Sequence, residues 1–477
     1  MFSKHTYICR RSQLVKKMKE DFNESGLLIF PGNIEVCAQG CTSDNGFSFN
    51  QDSNLLYYTG INHPGWAVII DVDSGEVVAY ADDGDLDDII WNGPQPTVSE
   101  TAELSGIRHS KPSRAWEIDI QEAIRKDRKV HFLPPLRFYN LLRICEACGY
   151  SPREAKSSPG ENPHSPSVAL TKAVISMRLI KEEIEIDALD DACDMGVAMH
   201  IAGRNAIRIG RNENEICAAM DEVALRLGWG RSFATILSQR GEILHTHDHN
   251  SVVAPGKLLL IDAGVESNEH YASDFTRTYP TSGKFTTRQR EVYQIVYECN
   301  ELAFCLAKPG VAYRDIHLAV ARKMLEGLSA LDLVRGDLDE MVARGIAGLF
   351  QPHGLGHNMG LDVHDMEDLG EDLVGYDPDQ TRSKQLGLGS LRMARNLVPG
   401  YVITDEPGIY FIPALIEKFK EEGLGFGFVN YAKLEHYYDF GGIRLEDDIL
   451  ITLNGARRLG HNRLPISPDD VDESMRK

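Results

Sequence analysis

Residues 257–280 read KLLLIDAGVESNEHYASDFTRTYP, and the fold turns on how this stretch is paired. An apolar run, Leu258 to Ile261, ends in Asp262. A short polar turn follows, and beyond it Ala272, Asp274 and Thr276 share one face of a second extended segment. Closed as a hairpin, the stretch sets Asp262 and Asp274 on neighbouring strands, within reach of one shared cation. A carboxylate emerging from a buried strand is costly without a partner, so the pairing implies one.

Outward from this hairpin, strands and helices alternate in a pattern that predicts an α+β domain with a curved, mostly antiparallel sheet. GYVITDEPGIYF (400–411) and GGIRLEDDILIT (441–452) supply further strands. In the second, Arg444, Glu446 and Asp448 alternate with Ile443, Leu445 and Ile449, so Arg444 and Glu446 share a face. Between the linker and Gly210 runs a long helical stretch with few breakers, followed by a helix over Glu213–Leu227. A third helix follows Thr286, with Val292, Ile295, Val296, Cys299, Leu302 and Leu306 on its core face. Towards the N-terminus, GLLIF (26–30), NLLYYTG (54–60) and WAVIIDV (66–72) read as short strands of a smaller α/β domain. The Pro- and Ser-rich KSSPGENPHSPS (156–167) is the best linker. The chain is therefore expected to divide into residues 1–164, an N-terminal domain with linker, and 165–477, the catalytic domain.

The histidines concentrate in HGLGHNMGLDVHD (353–365), where Gly354, Gly356 and Gly360 suggest a compact turn presenting His353, His357 and His364 to one site. Taken singly, each histidine, and each acid of TDEPGIYF and GIRLEDD, has an ordinary structural explanation. Four carboxylates (Asp262, Asp274, Glu406, Glu446) and one imidazole (His357) converging on one cleft do not, because they would repel one another without cations. Two divalent ions fit that donor count, and two adjacent divalent ions are a hydrolytic device.

DAGVESNEHYASD, HGLGHNMGLDVHD, DEPGIYF and GIRLEDD, in this order, resemble the motifs of the pita-bread metallopeptidases, in their aminopeptidase P and prolidase branch. FNQDSNLLYYTGINHPG and IIWNGPQ are similar to the N-terminal domain of the aminopeptidase P subgroup. The resemblance implies a pita-bread catalytic domain in which Asp262 chelates one metal and Asp274 and Glu446 bridge both. His357 and Glu406 complete the second metal's ligands. It implies His245, in EILHTHDHN, as a substrate-site histidine, with His353 and His364 as further active-site histidines and Tyr410 and Arg444 supporting the ligands. His247 and His249 read as loop residues. Two departures stand out: the interval from Asp262 to Asp274 is one residue longer than in better-known members, and Asn50 stands where the subgroup often has Arg.

The expected reaction is hydrolysis of the bond between an N-terminal residue and a following proline. A histidine, His364 or His245, would stabilise the oxyanion, and Glu406 would pass the proton to the leaving nitrogen. Oxygen-rich ligation with one imidazole favours Mn²⁺, with Co²⁺, Fe²⁺ or Zn²⁺ able to use the same ligands. The N-terminal domain resembles aminopeptidase P. The forty-residue interval from Glu406 to Glu446 instead resembles prolidases, and there the choice between Xaa-Pro peptides and Xaa-Pro dipeptides would be made. A binding protein that has lost catalysis, or a metal-free amidinohydrolase, is the third reading, and both should lack several ligands.

Composition bounds the partners. Fifty Lys and Arg against 71 Asp and Glu leave a net charge of −21, which disfavours nucleic acid and anionic membranes. No apolar run is long enough to span a bilayer, and the charged first residues lack a signal-peptide core. Nine cysteines, an odd number, suggest reduced thiols and a cytoplasmic setting, and the lone CxxC of Cys145 and Cys148 reads as ordinary buried thiols. Proline-containing peptides are the expected partners. A homodimer or tetramer follows from the resemblance alone.

Overall fold

A computed structural model describes residues 2–37 and 45–476. The chain divides into two compact units, Met1–Arg178 with Asp368–Gly370, and Leu179–Glu367 with Glu371–Lys477. Among the described residues no helix is long and apolar enough to cross a membrane.

The N-terminal unit is α/β. Its five-stranded sheet runs in the order His109–Lys111, Val77–Tyr80, Ala67–Asp71, Leu27–Pro31, Val130–His131. The three central strands are antiparallel and the two edge strands pair parallel to their neighbours. Leu27, Ile29 and Ile69 pack with Trp116, Ile120, Leu141 and Ile144 of helices Ala115–Arg125 and Phe138–Cys148. Each such side chain contributes about 1.5–3 kcal/mol by leaving water.

NLLYYTG, expected as a strand, is the helix Ser53–Thr59. The Asp52 side chain accepts from the backbone N–H of Asn54 and Leu55, and Gly60 closes the helix at φ 67°. A strong N-cap and a left-handed C-cap override the β-preference of two adjacent tyrosines. The stretch 156–167 is ordered against its own unit. The Ser167 N–H donates to Phe132 O, and the His164 ring stacks on Tyr150 with centroids 4.4 Å apart.

The second unit carries antiparallel sheets flanked by helices Glu183–Ala206, Glu213–Leu227, Thr287–Leu306 and Tyr313–Ala330. The long helical stretch expected before Gly210 is two helices, Val168–Arg178 and Glu183–Ala206. The break falls at Leu179–Glu182, where Lys181 is spent on other partners. Its Nζ pairs with Asp365 at 3.0 Å, both almost fully buried, and its N–H donates to Gly400 O.

The hairpin forms as expected. Strand Leu258–Ala263 pairs with Phe275–Pro280, with Thr276 opposite Asp262 and Phe275 opposite Ala263. Asp274 thus sits one step beyond the paired strands, beside Gly264. That position must be glycine, since a Cβ there would lie 1.7 Å from Ser273 O.

GGIRLEDDILIT is not one strand. Gly442–Arg444 pairs with Gly408–Tyr410, whereas Asp447–Ile451 pairs with Val402–Asp405. Glu446 lies at the seam, bridged to Thr276. The switch of partner turns its backbone N–H towards Thr276 O at 3.0 Å.

Candidate active site

Four separate pieces of backbone bring the acids together: the end of strand Leu258–Ala263, the start of Phe275–Pro280, the turn after Val402–Asp405, and the seam at Glu446. The histidine segment closes on them because the His357 N–H donates to Thr404 Oγ1 at 3.0 Å and the Thr404 N–H returns to His357 O at 3.0 Å. Gly356 permits this approach, since a Cβ there would meet Thr404 O at 2.1 Å.

Donor atoms of Asp274, His357 and Glu446 all lie within 4.8 Å of one another, and all three residues are buried. His357 Nε2 stands 3.5 Å from Asp274 Oδ2 and 3.8 Å from Glu406 Oε1. His357 Nδ1 lies 3.1 Å from Asn358 O, and a carbonyl only accepts, so this nitrogen carries the hydrogen. In the neutral ring Nε2 is therefore a bare lone pair aimed at two carboxylates. Among the described residues Asp262 Oδ1 and Asp274 Oδ1 are buried without a hydrogen-bond partner.

Electrostatics point the same way. Burial, then the charges of Asp262, Asp448 and Glu406, push the Asp274 carboxyl well above its ordinary range. Burial together with Asp274, Glu406 and Asp262 does the same to Glu446. Glu406 is also raised, burial outweighing the pull of His357 and Arg444. Orphaned oxygens, a lone pair and mutually repelling acids form a cage suited to bound cations.

Arg444 anchors the far side. Its Nη2 contacts Asp262 Oδ2 at 2.5 Å, Nη1 donates to Tyr410 OH at 2.9 Å and Nε to Thr276 Oγ1 at 3.1 Å. The Thr276 hydroxyl in turn donates to Glu446 Oε2 at 2.6 Å. Tyr410 OH lies 2.9 Å from His353 Nε2, while His353 Nδ1 lies 2.7 Å from Gly354 O. With Nδ1 donating to a carbonyl, Nε2 accepts from Tyr410. Burial, then Arg444, pushes the His353 imidazole down to about 3, so the ring stays neutral in this relay.

His364 stacks on His357 at 3.9 Å between centroids, and its Nδ1 lies 3.0 Å from Glu367 Oε1. His245 faces the same space, without a hydrogen-bond partner among the described residues. These groups surround a cavity of about 720 Å³. Of the ten residues singled out in the sequence, nine line it, and Tyr410 stands behind His353 and Arg444.

The region from residue 187 to 453 matches the model of metallopeptidase family M24, and residues 7–131 match that of the aminopeptidase P N-terminal domain. The chain belongs to metallopeptidase family M24. It is 30% identical to a probable Xaa-Pro aminopeptidase of Uncinocarpus reesii over 95% of this chain and 90% of that protein. It is 28% identical to the Xaa-Pro dipeptidase of Homo sapiens over 98% and 93%. Among solved structures it is similar to aminopeptidase P from E. coli with the inhibitor Pro-Leu, with a TM-score of 0.78 and 27% identity over 100% of this chain and 98% of that one. Membership of M24 and the donor set together imply divalent metal ions at this centre.

Three features of the M24 centre were missed in the sequence. Thr276 and Thr404 orient Glu446 and His357, and the Asp448 carboxylate accepts from the Asp274 N–H at 2.9 Å. All three sit on strands whose alternation marks them only as inward-facing. His247, read as a loop residue, lines the cavity, whereas His249 bonds Leu237 O.

The segment between Glu406 and Glu446, expected to decide substrate length, contributes no wall residue between Tyr410 and Arg444. Two of its aromatic side chains, Tyr437 and Phe440, pack instead on Phe411, and its backbone is tied elsewhere through Phe428 O, which accepts from the Arg335 N–H. Wall residues come instead from Glu371, Arg382, Gly389, Ser390 and Arg392.

Proposed function

We propose that this metallopeptidase is an Xaa-Pro aminopeptidase, releasing the N-terminal residue from peptides whose second residue is proline. The observation that carries the reading is the cage of Asp262, Asp274, His357, Glu406 and Glu446 on the floor of a cavity with apolar walls at Phe233, Ile236 and Leu244. These five residues would hold two divalent ions, Mn²⁺ first by the hardness of their oxygens. When bound, such ions lower the pKa of water and stabilise negative charge on a carbonyl oxygen.

The chain's own residues supply the remaining steps. Glu406, with its side chain open to the cavity and its Oε2 3.6 Å from His353 Nδ1, accepts the proton of the attacking water and delivers it to the proline nitrogen. That nitrogen is tertiary in the substrate and offers no N–H, so a site of apolar walls accepts it where a hydrogen-bonding one would not. Neutral His364 spends its N–H on Glu367, which makes His245, with no hydrogen-bond partner at either nitrogen among the described residues, the better donor to the oxyanion. Arg444 and Tyr410 hold Asp262 and His353 in place.

A second reading, Xaa-Pro dipeptidase, is favoured by one observation. Arg382 and Arg392 line the cavity, and a guanidinium there suits the free carboxylate of a dipeptide. Both are bound to Glu371, which weakens the case. Assay of the Mn²⁺-loaded protein on an Xaa-Pro dipeptide beside an Xaa-Pro-Xaa tripeptide decides between them: cleavage of the dipeptide alone overturns the first reading. The described cysteines are all free, which supports a reducing, cytoplasmic setting. A homo-oligomer is carried forward from the family and is measurable by light scattering.

A further inference from the structure

The N-terminal unit holds a second cavity of about 490 Å³, bounded by Pro64, Gly65 and Trp66 just before strand Ala67–Asp71, Ala81 and Asp82 just after strand Val77–Tyr80, the start of helix Ala115–Arg125 and helix Phe138–Cys148. Arg143 reaches into it and is only 8% exposed. Its guanidinium lies 4.6 Å from the Trp116 ring and 5.7 Å from that of Tyr139, and among the described residues it has no ion pair and no hydrogen bond. Such a cation needs a counter-charge or water, since aromatic faces satisfy its π-surface and leave its N–H edge empty.

Arg114 lines the same space, at the start of a helix with no side-chain cap, where the peptide dipoles add positive potential. Two acids also face the cavity. Asp82 is already engaged, accepting from the Ser113 N–H at 3.0 Å and from its hydroxyl. Glu117 has no ion-pair partner among the described residues, although Arg143 lines the same cavity. Trp66, Pro64 and Tyr139 supply apolar walls.

A simple anion would leave Glu117 opposing it, and a simple cation would meet two arginines. We propose that this cavity binds the zwitterion of a free α-amino acid with an apolar side chain. The carboxylate lies on the N–H edge of Arg143 with Arg114 beside it, the ammonium lies on Glu117, and the side chain lies against Tyr139 and Trp66. The site is independent of the metal cage and does not rest on the peptidase reading. It gives the protein a place to sense free amino acid.

The test is titration of metal-free full-length protein with L-phenylalanine, followed by tryptophan fluorescence and thermal unfolding, since Trp116 lies under Arg143. Saturable binding is expected, weakened roughly tenfold or more with phenylalanine amide, which lacks the carboxylate, and likewise with N-acetylphenylalanine, which lacks the ammonium. Arg143→Met keeps the apolar stem and should abolish the response. Glu117→Gln should abolish only the preference over the N-acetyl compound. Should Arg143→Met fail to fold, Arg114→Ala at an exposed position should still weaken binding. Neither Arg114→Ala nor Glu117→Gln should change peptidase turnover without added amino acid. An equal response in Arg143→Met, binding of inorganic phosphate in preference to phenylalanine, or no response at all overturns the proposal.

Discussion

Glu446 and Asp447 are adjacent in sequence and equally buried, yet their environments are opposite. Asp447 meets Arg277 at 2.6 Å and Arg458 at 3.0 Å, which outweigh burial and hold its carboxyl below the ordinary range. Glu446 meets a threonine, sees Arg444 only at 3.9 Å, and faces Asp274, Glu406 and Asp262, so its carboxyl is driven up. One acid is complete within the protein and the other is not. The difference separates a carboxylate that the fold pairs with cations of its own from one that the fold leaves without a close counter-charge.

Four experiments press on that contrast. Glu446→Gln should weaken metal binding and peptidase activity by more than the roughly 100-fold that loss of an outer partner costs, while the metal-free protein melts no lower than wild type. A lower melting temperature for the metal-free variant would show that Glu446 is already satisfied. Asp447→Asn should do the reverse, costing about 3–5 kcal/mol in urea unfolding, because it leaves Arg277 buried without its partner.

The pH dependence carries the sign of each shift. Acids raised in the folded state, Asp274, Glu446 and Glu406, hold protons that the unfolded chain releases. Their contribution to the stability of metal-free protein is therefore fully present below the ordinary carboxylate range and lost as pH rises above it, by about 1.4 kcal/mol per pH unit per proton. Asp447 contributes oppositely, its stabilisation present above that range and lost as pH falls through its depressed value. Metal-loaded protein should keep only the second dependence in calorimetry across pH. The smallest effect is expected for Tyr410→Phe. It removes one hydroxyl between His353 and Arg444 and should lower kcat by about tenfold with little change in KM.

Much of this was legible because metal chemistry constrains residue type as well as pattern. The hairpin of Asp262 and Asp274 and the Gly-spaced histidines could be read from the sequence. What stayed hidden depended on tertiary context. The Asp52 and Gly60 caps turned NLLYYTG into a helix, and the buried Lys181–Asp365 pair sits at the break in a stretch that a scarcity of breakers joined. The seam at Glu446 depended on which neighbour each half of its segment chose, and alternation alone does not carry that. The cavity wall at Arg382 and Arg392 lies in irregular backbone without periodicity.

The seam has a consequence in chain entropy. Residues 411–441 leave and re-enter the sheet at the pair Tyr410 and Gly442, which closes their loop before Arg444 and Glu446 are reached. Closure cost grows only with the logarithm of loop length, about 0.6 kcal/mol per doubling. The excursion can therefore lengthen or shorten at small cost, while the register of Arg444 and the position of Glu446 stay fixed by a strand pair that does not count its residues.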